Sequence, residues 1–92
     1  MKFEWDPAKD ALNLEKHGVS FGGAQLAFLD PRRIVASDTA HSSPDEVRYF
    51  LFGSTPGGIL TVRFTVRKNR IRIIGAGYWR EGRRRYEQEN NL

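Results

Sequence analysis

The side chains best suited to moving protons in this sequence are His41 and Glu46, which lie five residues apart with Arg48 two positions further on. A histidine titrates near neutrality and a loop can present it, so His41 with Glu46 is the first candidate pair for general acid–base work. The alternative for His41 is a loop residue that caps or hydrogen-bonds locally. His17 falls at the end of a predicted helix, where the dipole favours an imidazolium, and reads as a helix-ending residue rather than a reacting one. Arg63, Arg72 and Arg80 offer guanidinium forks that match phosphoryl oxygens and stay charged. Their alternative is to keep an open sheet soluble. Tyr78 could stack on a planar ligand, whereas Trp79 and Tyr86 read as aromatics docked on the core. The chain has no cysteine, which excludes a disulfide framework, a zinc ribbon and a thiol nucleophile. His17 and His41 are far apart, and neither a D-x-D nor an H-x-x-x-H spacing occurs, so no metal centre and no cofactor is expected.

Those residues need elements to hold them. Residues 2 to 5 alternate like a strand and stop at Asp6-Pro7, an N-cap followed by proline at the first helical position. Ala8, Ala11 and Leu12 recur at helical spacing, Gly18 is a left-handed stop, and Lys9, Asn13 and Lys16 fall on the solvated side. Ser20 caps a second helix with Phe21, Ala24, Ala27 and Phe28 on one stripe, ended by Asp30-Pro31. The two make a helical hairpin that needs a sheet to cover.

From residue 33 the period changes to two. Residues 33 to 37 and 46 to 53 read as strands around an exposed loop from Asp38 to Asp45. Thr55-Pro56-Gly57-Gly58 has the residues of a type II turn. In the next strand Leu60, Val62, Phe64 and Val66 face a core, with Thr61, Arg63, Thr65 and Arg67 on an open face. Lys68-Asn69 is a tight hairpin turn, after which Ile71 and Ile73 point in and Arg70 and Arg72 out. A C-terminal helix follows, with Gly82 between Trp79 and Tyr86 implying close approach to the sheet. The expected fold is α+β: a single domain over residues 1–92, an antiparallel sheet with an N-terminal helical hairpin and a C-terminal helix.

Fifteen Lys plus Arg against eleven Asp plus Glu give a net charge of +4. Nine of the cations lie between Arg63 and Arg85 with Glu81 as the only acid there, so this segment carries +8 and the remainder −4. A surface so charged implies a polyanionic partner; a solvated basic face is the alternative. The start carries acids where a signal peptide would be apolar, and no run reaches the ~18 apolar residues of a membrane span. A cytoplasmic location without membrane contact is the expectation.

Trp5, Asp6, Lys9, Asn13, Lys16, His17, Gly18, Val19 and Phe21 meet a W-D-x-x-K-x-x-x-N-x-x-K-H-G-V-x-F signature. With Asp38 and His41, the Glu46-x-Arg48-Tyr49 segment and the arginine-rich end, the chain resembles the BrnT family of toxins over nearly its whole length. The resemblance implies a RelE-like ribonuclease that cuts RNA and blocks translation. It also implies a BrnA-like antitoxin whose ribbon-helix-helix part binds operator DNA. A metal-free ribonuclease lets the 2′-OH attack the adjacent phosphodiester, which needs a base, an acid and cations around the phosphorane. On that reading His41, Glu46, Arg48, Arg72 and Arg80 are catalytic, and Arg63, Arg67, Lys68, Tyr78, Arg83 and Arg84 contact RNA. An acidic antitoxin segment is expected over Arg83 to Arg85. Many family members follow the last strand with Ser-Ala-Arg where this chain has Gly75-Ala76-Gly77. The second expectation is therefore a toxin-like module with weak or lost catalysis that binds RNA or an antitoxin.

Overall fold

A computed structural model describes residues 2–92. Five strands run in the order β1-β5-β4-β3-β2, with β1 Lys2–Glu4, β2 Ile34–Ser37, β3 Arg48–Thr55, β4 Gly58–Arg67 and β5 Arg70–Gly77. Three helices accompany them: α1 Pro7–His17, α2 Phe21–Ala24 and α3 Arg80–Glu89. The α+β class is as expected, but the sheet is mixed rather than wholly antiparallel. β1 lies parallel to β5, pairing Lys2 with Arg70 and Glu4 with Arg72, because the chain crosses from edge to edge through the helices before returning.

The helix boundaries follow the capping chemistry. Asp6 accepts from the Ala8 N–H, Pro7 opens α1, and Gly18 ends it at φ 69°. Ser20 accepts from the Gly23 N–H to start α2, which continues as a 3-10 helix over Gln25–Leu29 and buries Phe21, Ala24 and Ala27. These pack with Val19, Leu51, Leu60, Val62, Phe64, Ile71, Ile73 and Ala76 on one face of the sheet. Phe28, only partly buried, closes that layer edge-on against Phe3 and Phe64.

In α1 the expected sides are reversed. Ala8, Ala11 and Leu12 are exposed, and Asn13 is the buried residue. Its amide donates to Val19 O and Ala76 O, each at 2.9 Å, and accepts from the Ala76 N–H at 3.2 Å. The short β1 covers β5 only as far as Arg72, so the Asn13 amide takes over where a neighbouring strand would have continued.

The opposite face is not fully open as expected. α3 crosses it, burying Thr61, while Thr65 is buried further along with its hydroxyl donating to Val47 O at 2.7 Å. Gly82 makes the approach possible, since a Cβ there would collide with Thr61 Oγ1 and meet the Phe52 ring at 2.9 Å. Tyr86 is buried and donates to Asp30 Oδ2 at 2.6 Å. Trp79, expected in the core, instead flanks the helix start at 36% exposure with its ring edge-on to His17. At the β3–β4 turn the positive φ falls on Gly58, at 128°, and not on Gly57 as a type II turn requires. Lys68 and Asn69 are both left-handed, the form a two-residue hairpin needs.

Candidate functional site

Cross-strand register gathers three arginines on the half of the second face that α3 leaves open. Arg48 of β3 lies opposite Thr65 of β4, which lies opposite Arg72 of β5. Two residues along β4, on the same side, Arg63 sits between Phe50 and Gly75. The arginines therefore surround the buried Thr65 on three adjacent strands, with strand spacing placing the Arg48 and Arg72 backbones about 10 Å apart. Long guanidinium side chains from those positions can converge on one phosphate. The register slips between Arg63 and Phe64, leaving Ile74 unpaired, and this bulge keeps Arg72 and Gly75 on the same side despite their odd spacing.

Carboxylates from outside the arginine-rich segment hold two of the three. Glu4 accepts from Arg72 at 2.9 Å and lies 3.9 Å from Arg70. Glu46 receives both Arg67 and Arg48, the latter at 3.3 Å. The Arg67 hydrogen bond holds the Glu46 carboxyl below its ordinary value; burial opposes that, and the Arg48 hydrogen bond and both positive charges reinforce it. Among the described residues, no carboxylate pairs with Arg63, Lys68 or Arg80. Glu4 escaped the sequence reading because only the parallel pairing of β1 brings it to Arg72. Its outward position on an alternating strand was the available signal.

The loop after β2 brings His41 to the same edge. The Asp38 N–H donates to Arg48 O at 2.8 Å, the Arg48 N–H donates to Ser42 Oγ at 2.9 Å, and Ser42 Oγ donates to Asp38 O at 2.7 Å. Within that clasp the Asp38 carboxylate, 4% exposed, takes His41 Nδ1 at 2.9 Å. A carboxylate only accepts, so Nδ1 carries the hydrogen and Nε2 is the ring nitrogen left outside that bond, on a side chain 55% exposed. The local hydrogen bond considered for His41 is present, and it orients the ring outward. Asp38 was noted in the sequence without a role; its spacing three residues before His41 was the signal.

Other residues named from sequence lie elsewhere. Tyr78, Arg80 and Arg83 line a cavity of about 410 Å³ with Gly57 and Gly58 at the far end of the sheet. Gly77 lies five positions after Arg72 along β5, roughly 17 Å of strand. Tyr78 is exposed, its hydroxyl 3.3 Å from Thr55 Oγ1. On α3, Arg83, Arg84 and Arg85 pair with Glu87, Glu81 and Glu89. Arg67 ends β4 and Lys68 sits in the β4–β5 turn at the near end. Among the described residues, no three His, Cys, Asp or Glu side chains gather as a metal-ligand set.

The arrangement thus presents an arginine cradle, an ionised carboxylate and an oriented imidazole along one open half-face. The chain is matched over residues 5–82 by a family model described as a ribonuclease toxin, BrnT, of type II toxin–antitoxin systems. No curated protein matches the chain.

Proposed function

The chain belongs to the BrnT family of ribonuclease toxins of type II toxin–antitoxin systems, and from that premise we propose that it cleaves RNA at the open half-face by metal-independent attack of a 2′-OH on the adjacent phosphodiester. The observation that carries this reading is the Asp38-oriented His41 in a loop whose Asp38 and Ser42 are tied to the Arg48 backbone, beside Arg63 and Arg72. Glu46 is held ionised, which suits a base accepting the 2′-OH proton. As an imidazolium with Nδ1 held by Asp38, His41 protonates the departing 5′-oxygen from Nε2, and Arg48, Arg63 and Arg72 hold the phosphorane charge. No step needs an electron or group from elsewhere: the P–O5′ bond breaks as the P–O2′ bond forms, leaving a cyclic phosphate and a 5′-hydroxyl. Arg67 and Lys68 extend the contact with RNA along the near edge. Arg80, Tyr78, Arg83 and Arg84 engage it further along the strand.

A type II toxin implies an RNA substrate and an antitoxin partner. We further propose a BrnA-like ribbon-helix-helix antitoxin carrying operator DNA, inhibition of translation as the outcome of cleavage, and action in the cytoplasm. No described helix is long and apolar enough to cross a membrane.

Single-stranded RNA incubated with purified protein in EDTA should yield fragments ending in cyclic phosphate. Arg63→Ala and His41→Gln should each lower kcat/KM by roughly 10²-fold or more with the circular dichroism unchanged. Intact RNA with folded wild-type protein would overturn catalysis and favour the second reading, a weak or inactive module. The observation on that side is Gly75-Ala76-Gly77, where β5 offers no arginine and Ala76 is pinned by Asn13.

A further inference from the structure

Next to the arginine cradle, where α3 meets the sheet, a cleft of about 200 Å³ is lined by Phe50, Phe52, Trp79, Glu81 and Arg85. We propose that this cleft is a nucleobase subsite that favours bases carrying an exocyclic amino group over uracil. The proposal rests on the ribonuclease reading above and names which part of the RNA this neighbouring surface takes.

Phe50 and Phe52 are stacked with ring centroids 6.0 Å apart and planes within 16°. Phe52 is 3% exposed and carries the Arg85 guanidinium 5.1 Å from its ring centre, so it is a fixed wall. Phe50 is only partly buried and presents the accessible ring. Its cross-strand neighbour is Arg63, the one arginine of the cradle without a carboxylate partner among the described residues. A base laid against Phe50 therefore places its own phosphate beside the uncommitted cation. Aromatic stacking of this kind accepts any base, as single-strand binders do.

Discrimination comes from the edge groups. Glu81 is held ionised by the Arg84 hydrogen bond, with burial opposing and the Arg84 and Arg85 charges assisting. Its carboxylate accepts from Arg84 at 2.7 and 3.1 Å and keeps further lone pairs. Adenine, cytosine and guanine each offer an amino group to such an acceptor, whereas uracil flanks its single N–H with two carbonyl oxygens that the carboxylate repels. On the cleft floor lies Thr61 Oγ1, the one buried side-chain polar atom without a hydrogen-bond partner among the described residues.

The experiment uses oligodeoxynucleotides with a single ribonucleotide linkage, the base on either side of it set in turn to A, C, G or U. Wild-type kcat/KM should be about ten-fold lower when U occupies the subsite. Phe50→Leu should raise KM roughly ten-fold for every base. Glu81→Gln should bring U level with the others. Equal rates for all four bases, or an unchanged KM in Phe50→Leu, overturn the subsite. If the wild type cleaves nothing, the ribonuclease reading fails separately, and the subsite is read from binding of all-deoxy strands. Quenching of Trp79 fluorescence in a Trp5→Phe background, lost in Phe50→Leu and weaker for oligo(dU), supports it; no quenching overturns it.

Discussion

A polar residue on a helix is read as solvent-facing unless a tertiary partner demands it, and Asn13 is where that rule failed. The spacing of α1 placed Asn13 beside two lysines on a wet face. What the period could not convey is that β5 runs past the end of β1 and leaves Ala76 with a bare N–H and C=O. Asn13→Ala strands those two groups and Val19 O, and should cost about 3 kcal/mol, read as a lower urea midpoint at unchanged m. Asn13→Asp keeps an acceptor for the Ala76 N–H but has no donor for the two carbonyls, so it should be destabilised at neutral pH as well. His41, Glu46 and Arg48 could be nominated together because one of only two histidines lies within seven residues of both the others. With its carboxyl lowered by Arg67 first and Arg48 after burial, Glu46 stays charged below its ordinary 4.5. With Glu46 as the base, the acid side of the cleavage profile should fall only as pH drops below that value. Arg67→Ala should move this acid limb upward, as initial rates across pH 3 to 6 would record.

Elements were legible where a cap or turn residue marks a boundary, as at Asp6-Pro7, Ser20 and Lys68-Asn69. They were not where the cause is remote, as with the parallel seat of β1 or the bulge at Ile74. The C-terminal helix mixes both. Gly82 was read correctly as a point of close approach, yet Thr61 and Thr65 were placed on an open face because two-fold alternation does not say what covers it. Gly82→Ala should lower stability despite the ~1 kcal/mol that alanine gains in a helix, since the new methyl meets Thr61 and Phe52. A net loss of about 1–2 kcal/mol, read from thermal or denaturant unfolding, is expected. The same helix is tied by Tyr86 to Asp30. Burial pushes the Asp30 carboxyl up, but the hydrogen bonds from Tyr86, Ser54 and Arg32 and the Arg32 charge outweigh it and hold it below its ordinary 3.8. A lowered carboxyl contributes stability that is full above 3.8 and is lost as pH falls through its folded value. Tyr86→Phe should therefore lower stability at pH 7 by about 1–2 kcal/mol and flatten the acid dependence below pH 4, as chemical denaturation at each pH would record.

At the scale of the molecule, a net +4 conceals how the charge is arranged. Sequence separates a +8 segment from a −4 remainder, and folding partly undoes that separation. Glu4 and Glu46 come back onto the strand arginines, and Glu87 and Glu89 onto those of α3. Among the described residues, six of the nine cations between Arg63 and Arg85 are in ion pairs, leaving Arg63, Lys68 and Arg80 uncommitted. RNA must compete with internal carboxylates for the others, so fewer counterions are displaced than the sequence count implies. If all nine neutralised phosphates on a single strand, log K would fall with log salt at a slope of about −6; three to five give about −2 to −4. The shallower range is expected for a non-cleavable all-deoxy strand followed by anisotropy. Glu4→Gln releases Arg72 and Arg70 without adding a cation, and should steepen the slope by roughly 1 while tightening binding at low salt. A slope near −6 in the wild type, or no change in Glu4→Gln, would mean that the ion pairs open freely to RNA and that the sequence count was the better guide.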